Sequence, residues 1–355
     1  MSEPSEPQSS TRARSIGSGQ GQSAAIIGAG LSGLKCARDL ADGGFEVRVF
    51  DKARGAGGRM ATRRAGDRRF DHGAQYFTVR DDRFDRVVDS WCRRGIVEPW
   101  NGTIVVVDNG TVSTQKSRVP RFVGVPGMNA VCRHLARGLD VSYSTRVESL
   151  KREGEVCAVT DGDGIDLGRF DVVVVSAPAP QAGALLRSCA PDLSARADAV
   201  EMAPCWAVMA TFPERLEVGF DGAFVNDAAI SWVSRNPSKP GRPDHESWVI
   251  HASPEWSTDH LEMEPELAAE ALVREFGAAL GVEMEQPEHL SAHRWRFALP
   301  RSPLQETFLF DANLGLAACG DWCGGPRVEG AFLSGLAAAE GILAHAKRNS
   351  VRSAG

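Results

Sequence analysis

Hydrophobic residues fall into three patterns along this chain. Continuous apolar runs come first: Ala24–Ile27, then Asp171–Val175 leading through Ser-Ala-Pro-Ala into a turn, then Leu314–Cys319. Runs of four to six apolar residues bounded by turn residues predict strands buried on both faces of a parallel sheet. Val47-Arg-Val-Phe50 and Val141–Leu150 predict two more strands. Alternating patterns follow at Ala203–Thr211, Ala229–Arg235 and Ser247–Ser253. They predict an antiparallel sheet with one covered face. Helical spacing marks Leu31–Asp42, an amphipathic segment over 259–280 on the outer face of that sheet, and Ala331–Ala346. Val125-Pro-Gly-Met-Asn129 opens a shorter helix. Asn236–Asp244 holds three prolines and a glycine, and predicts a loop, one placed to move over a site.

Composition narrows the class. At 355 residues, 43% hydrophobic and 24% charged, the chain has the profile of a soluble globular protein of two domains. A net charge of −6 gives no general attraction to nucleic acid or to an anionic membrane. Residues 1–22, rich in Ser, Gln, Gly and Pro, predict a disordered tail without a secretory signal. No apolar run is long enough to span a membrane. Eight scattered cysteines, with no C-x-x-C pair, predict reduced thiols in a cytoplasmic protein and no metal site.

The chemistry begins at the first turn. Ile27 is followed by Gly28-Ala-Gly30-Leu31-Ser32-Gly33 and a helix, and Asp51 closes the next strand, 18 residues beyond Gly33. Gly28 permits the tight turn, Gly30 the approach of a pyrophosphate, and Gly33 close packing of helix on strand. The helix N-terminus favours the phosphates. Asp51 suits a ribose hydroxyl and opposes a 2′-phosphate. Lys52-Ala-Arg-Gly-Ala-Gly57-Gly58-Arg59-Met60 then adds a second glycine cluster, whose arginine offers a fork of donors for phosphate. The other reading of that cluster is a solvated basic loop.

Gly57-Gly58-Arg59 matches the G-G-R motif of the amine-oxidase-like flavoprotein superfamily. Gly320-Asp321, with Gly324-Gly-Pro-Arg-Val328-Glu329-Gly330 entering a helix, resembles its second flavin fingerprint. Together with Phe70–Thr78, Asn236–Arg242, Trp248–Trp256 and His293–Phe297, these segments make residues 24–345 similar to the bacterial renalase-like FAD-dependent oxidoreductases. The resemblance implies an α/β fold of para-hydroxybenzoate-hydroxylase-like architecture. Its Rossmann-type FAD-binding domain covers 23–80, 124–200 and 302–347, and an α+β substrate domain covers 81–123 and 201–301. It implies noncovalent FAD held by Gly28, Gly30, Leu31, Ser32, Gly33, Asp51 and Lys52, and by Gly58, Arg59 and Met60. Further contacts are implied from Ala74 and Gln75, from Val147 at the adenine, and from Asp321, Val328, Glu329 and Gly330 at the flavin end. Asp321 is otherwise read as a helix cap.

The implied reaction oxidises mis-reduced dihydronicotinamide dinucleotides with O2, giving NAD(P)+ and hydrogen peroxide. Gln75 and Tyr76 are the ring-proximal candidates, and the flavin carries the chemistry. Substrate candidates are Tyr76, Trp232 and Trp295 for stacking, with Trp248 and Trp256. For phosphates they are Lys239, Arg242, Arg294 and Arg296. Core packing and solvated charge are the alternatives. His72 is read as a structural histidine or a base. Two other classes stay open. A flavin amine oxidase would need an aromatic cage from a chain whose two tyrosines are Tyr76 and Tyr143. A nonenzymatic flavin-binding module would leave the second domain without a task.

Overall fold

The structure, a computed structural model, describes residues 21–108, 110–114, 119–281 and 284–353. The expected disordered tail lies outside these residues, apart from its last two positions. Ser23–Ile27 sits near the centre of a six-stranded sheet. It pairs in parallel with Glu46–Phe50 on one side and Val172–Val175 on the other. Asp140–Ser142 and Leu316–Ala318 extend the sheet in parallel, and Leu309–Asp311 closes one edge antiparallel. Parallel strands are buried on both faces, which is why Val172–Val175 is apolar at every position.

Leu31–Asp42 packs one face of this sheet, and the last helix, Val328–Ser353, lies across it. The two helices approach so closely that a Cβ at Gly335 would sit 2.2 Å from the Ser32 carbonyl oxygen. A three-stranded antiparallel sheet, Val147–Glu153, Val156–Asp161 and Asp166–Phe170, forms the connection into Val172–Val175.

The second sheet has seven strands. Their order is His289–Pro300, Met202–Thr211, Ser247–Ala252, Ile230–Arg235, Gly222–Asn226, Ile104–Asp108 and Thr111–Thr114. All pairs are antiparallel except Gly222–Asn226 with Ile104–Asp108. Alternation sorts its residues. Trp206, Val208, Ala210, Trp248 and Ile250 face outward, where Leu272, Val273 and Phe276 of Pro265–Leu280 cover them. Ala207, Met209, Val249 and His251 take the opposite face, toward the first sheet.

Two elements differ from the sequence reading. Val141–Leu150 is two strands in two sheets, because the chain turns at Ser144 (φ 53°). There the amides of Ser144 and Thr145 bond to the carbonyls of Ala53 and Asp51. The 259–280 segment is the end of Pro254–Asp259, a turn, and Pro265–Leu280. Each of these helices starts at a proline, which lacks the N–H that a helix interior needs. Helix Asp82–Arg93, from the segment expected in the substrate domain, packs Phe84 and Trp91 against Phe332 of the last helix. Among the described residues no helix is long and apolar enough to cross a membrane.

Replacing Gly335 by alanine forces the two helices apart. Overpacking of this kind costs about 1–3 kcal/mol. Thermal unfolding should show Gly335→Ala melting several degrees below the wild type, and an unchanged midpoint would show that the crossing can yield.

Candidate functional site

A cleft of about 1730 Å³ runs between the two sheets. A single drug-sized ligand needs roughly 300–1,000 Å³, so there is room for a long cofactor and a second molecule. One wall is the glycine loop and its neighbours: Gly28, Gly30, Leu31, Ser32, Asp51, Lys52, Gly58, Arg59, Met60, Ala74 and Val147 all line it, with Asp321 and Val328. The opposite wall is the inner face of the seven-stranded sheet.

The glycine loop fits a pyrophosphate. Gly28 (φ +115°) passes beneath Ser176, where a Cβ would lie 2.4 Å from its carbonyl oxygen, and a Cβ at Gly33 would lie 2.1 Å from the Gly28 carbonyl. Gly30 differs. Its φ is an ordinary −80°, no side chain caps the helix there, and a Cβ would meet nothing within 4 Å. That open space faces the uncapped amides of the Leu31–Asp42 helix, with the buried, unpartnered Ser32 hydroxyl beside it. Backbone donors and an orphan hydroxyl around a void are what an anion fills. Asp51 already accepts from the amides of Ala29 (2.5 Å) and Ala53 (2.7 Å), with lone pairs left for a ribose hydroxyl.

The two fingerprints meet through a side-chain pair. Arg59 bonds Asp321 bidentately at 2.8 and 2.6 Å and donates to the Ala298 carbonyl at 2.9 Å. The arginine expected on phosphate and the aspartate expected at the flavin end thus hold each other. Glu329 and Gly330 do not line the cleft. The Glu329 carboxylate accepts from the amides of Arg80 and Asp81, at 2.7 and 2.9 Å. Gly330 lets the turn close, since a Cβ there would lie 2.1 Å from the Gly325 carbonyl oxygen.

Behind the cleft lies a buried charge cluster. Asp71 and Arg242 form an ion pair at 2.6 Å with side chains 0% and 1% exposed. Lys239, equally buried, donates to Gln75 Oε1 (2.8 Å) and Ser234 Oγ (3.1 Å). Lys239 and Arg242 are therefore not phosphate ligands, and the 236–244 loop is pinned inward by them. Gln75 lines the cleft, but Ser234 and Lys239 occupy its oxygen, and its amide donates to the carbonyls of Asp71 and Gly73. No donor or acceptor of that side chain is left over for catalysis. Burial alone would raise the Asp71 pKa; the charges of Arg242 and Lys239 outweigh it and hold it below the usual range. Burial lowers Lys239 to about 7.

The sheet presents one transverse row to the cleft. Phe224 opposes Trp232, Trp232 opposes His251, His251 opposes Ala207, and Ala207 opposes His293. Directly opposed residues share a face. At one end Tyr76 packs on Trp232, ring centroids 5.5 Å apart, with Arg121 over the Tyr76 ring. At the other, His72 packs against both His293 (4.9 Å) and Trp295 (5.0 Å). Burial is the main cause lowering His72 to about 3, and His251 and His293 to about 4. All three imidazoles are neutral at pH 7, so His72 carries no charge there. Trp248 and Trp256 face the other way, into the core under Pro265–Leu280 and onto His260. Arg294 and Arg296 reach the cleft but share Glu262, at 2.9 and 2.7 Å. Tyr143 is away from this sheet, in the turn that follows Asp140–Ser142. The sequence reading missed Phe224, His251 and Arg63; only their alternation with buried neighbours marked the first two.

Residues 107–343 match the family model described as flavin containing amine oxidoreductase, and residues 26–91 match that of an NAD(P)-binding Rossmann-like domain. The chain belongs to the flavin-containing amine oxidoreductase family and is an FAD-dependent oxidoreductase. A putative protoporphyrinogen oxidase from Exiguobacterium sp. 255-15 has a similar structure. The TM-score is 0.72 at 14% identity, over 91% of this chain and 98% of that one. Putrescine oxidase in complex with putrescine gives 0.69 at 15% identity, over 91% and 99% of the two chains. At such identity the likeness is one of fold.

The buried lysine gives a measurable pH signature. Its folded pKa of about 7 lies below the unfolded value near 10.4, so between them the unfolded chain binds more protons. Stability then rises with pH across that window, by up to about 1.4 kcal/mol per unit from this residue. Urea titrations at pH 7, 8.5 and 10 should show Lys239→Met losing this slope. An equal slope in both proteins would place the titration elsewhere. Arg242→Met, which strands Asp71, should cost about 3–5 kcal/mol in the same assay at pH 7.

Proposed function

We propose that the protein is a renalase-like oxidase that binds FAD noncovalently and oxidises a dihydronicotinamide dinucleotide, with O2 as electron acceptor and hydrogen peroxide as product. The observation that carries this reading is the charge of the cleft. Its lining holds ten arginines and one lysine against three carboxylates, in a chain of net charge −6. Of those carboxylates, Asp51 and Glu148 lie on the glycine-loop side and Asp321 is held by Arg59. A protonated amine would find no counterion along the inner face of the sheet. A phosphate-bearing substrate would be drawn in, and focusing by low-dielectric walls strengthens the attraction.

The bound flavin supplies the two-electron acceptor. The chain's own residues bind and orient. Phe224, Trp232, His251 and His293 of the row line the cleft and offer aromatic and imidazole groups to a planar heterocycle. A nicotinamide ring gains positive charge as its hydride leaves. The His251 imidazole, directly opposite Trp232 and held neutral, stabilises that charge better than imidazolium would, since like charges repel in a low dielectric.

The fit of the glycine loop also gives a test. Gly30→Val adds a side chain only to open space, at a φ valine tolerates. The apoprotein should keep its melting temperature while flavin affinity, read by fluorescence titration, falls at least tenfold. Loss of both would mean that Gly30 serves folding. Acid precipitation should release intact FAD.

The reaction is tested by mixing the anaerobic holoenzyme with the 2-, 4- and 6-dihydro isomers of NAD and with putrescine. The flavin absorbance should bleach rapidly with a 2- or 6-dihydro isomer and slowly, or not at all, with the amine. Bleaching by the amine alone would replace this reading with amine oxidation, for which Tyr76 and Trp232 supply two aromatic walls.

A further inference from the structure

Arg63 stands at the imidazole end of the row. It lies on the Thr62–Ala65 strand of a small hairpin, lines the cleft, and is exposed. No carboxylate pairs with it among the described residues, whereas Arg294 and Arg296, on the His289–Pro300 strand, share Glu262 and Arg68 on the same hairpin pairs with Glu288. Its charge is felt by His72 and His293, both of which it pushes further toward the neutral form. His72 shares this corner. It is 4% exposed, lines the cleft, and its Nδ1 has no hydrogen-bond partner. An uncompensated guanidinium and an unsatisfied imidazole nitrogen in one corner are a poor arrangement for the empty chain. The guanidinium, exposed at the cleft wall, finds a partner if an anion enters, while the His72 Nδ1 itself is enclosed.

Distance gives the corner its meaning. From Trp232 to His293 the row crosses three interstrand steps, about 14 Å at ~4.8 Å per step. A small amine occupies one end of such a surface. A ring joined through a sugar to a phosphate spans it.

We propose that Arg63, with His72 and His293, forms the subsite that anchors the phosphate of the substrate, leaving the heterocycle on the aromatic side near Tyr76 and Trp232. This rests on the dinucleotide reading of the cleft and adds a direction to it: phosphate at the hairpin, ring toward Trp232. Arg296, compensated by Glu262, and the buried Lys239 and Arg242 have no part in it.

The experiment uses the holoenzyme and two probes that cannot reduce the flavin, NAD+ and nicotinamide riboside. They carry the same ring, with and without phosphate. Binding is read from the flavin difference spectrum. The wild type should bind NAD+ at least about tenfold more tightly than the riboside, the factor that one charge-assisted contact supplies. Arg63→Gln should remove most of that difference by weakening NAD+ alone, and Arg63→Lys should restore part of it. The NAD+ affinity of the wild type should fall with added salt more steeply than that of Arg63→Gln. Arg274→Gln, on the exposed side of Pro265–Leu280, should leave both affinities as they are. The proposal is overturned if Arg63→Gln weakens both probes equally, if it weakens neither, or if the wild type does not favour NAD+. An Arg63-dependent preference for NAD+ in an enzyme that no dihydronicotinamide isomer reduces would uphold the anchor and remove the reaction proposed above. Reduction by those isomers, with NAD+ binding indifferent to Arg63, would do the reverse.

Discussion

One buried carboxylate sets the spacing between the two halves of this molecule. Asp71 uses one oxygen to accept from the Thr62 hydroxyl (2.7 Å) and the Met128 amide (2.9 Å), and the other to hold Arg242. Those partners come from the glycine-cluster hairpin, the turn that leads into the short helix Ala130–Leu135 and the loop after Ile230–Arg235. Removing a single partner leaves a charge in a medium that cannot solvate it, so the segments are fixed together or not at all. The same pair carries Lys239 inward, and Lys239 fixes Gln75. The 71–76 segment therefore enters the cleft in one conformation, with the Tyr76 ring and the His72 imidazole placed against opposite ends of the row on the sheet.

That cluster is also why the sequence misled where it did. Basic residues in a loop of prolines and glycine are ordinarily solvated. Arg242 is not, and the reason lies 171 residues away in Asp71. No local pattern carries such a pairing. The parallel strands were legible because burial on both faces writes itself into every position of Ala24–Ile27 and Val172–Val175. The glycine loop was legible because backbone geometry restricts Gly28 and Gly33 to that residue. The transverse row was not. Alternation shows that Trp232 and His251 each take one face of a strand, but which residues oppose one another depends on registers among strands far apart in the chain. Ser144 hid the break in Val141–Leu150 because it adopts a positive φ without a glycine to announce it.

Glu329 and Gly330 teach a related lesson. Their place in the second fingerprint was read as contact with the ring, yet the carboxylate caps the backbone at Arg80 and Asp81 and the glycine permits the turn at Gly325. A motif preserves geometry as readily as contact. Here the geometry is the entry of the last helix, whose start brings Val328 to the cleft while its own glutamate secures the beginning of Asp82–Arg93.

The charges of the cleft divide into two populations, and the division decides what the site can recognise. Arg59, Arg294 and Arg296 have carboxylate partners, so they shape the walls and add little net field. Among the described residues Arg63 and Arg121 have none, and neither do Arg54, Arg64, Arg80 and Arg327; Arg63 and Arg121 stand at opposite ends of a surface whose imidazoles burial keeps uncharged. A cofactor pyrophosphate at the glycine loop neutralises charge on its own side and leaves these two untouched. The remaining field favours an anion, while Tyr76, Phe224 and Trp232 favour a flat ring. A ligand carrying both features satisfies the two ends together; a cation satisfies only the aromatic one, against the field.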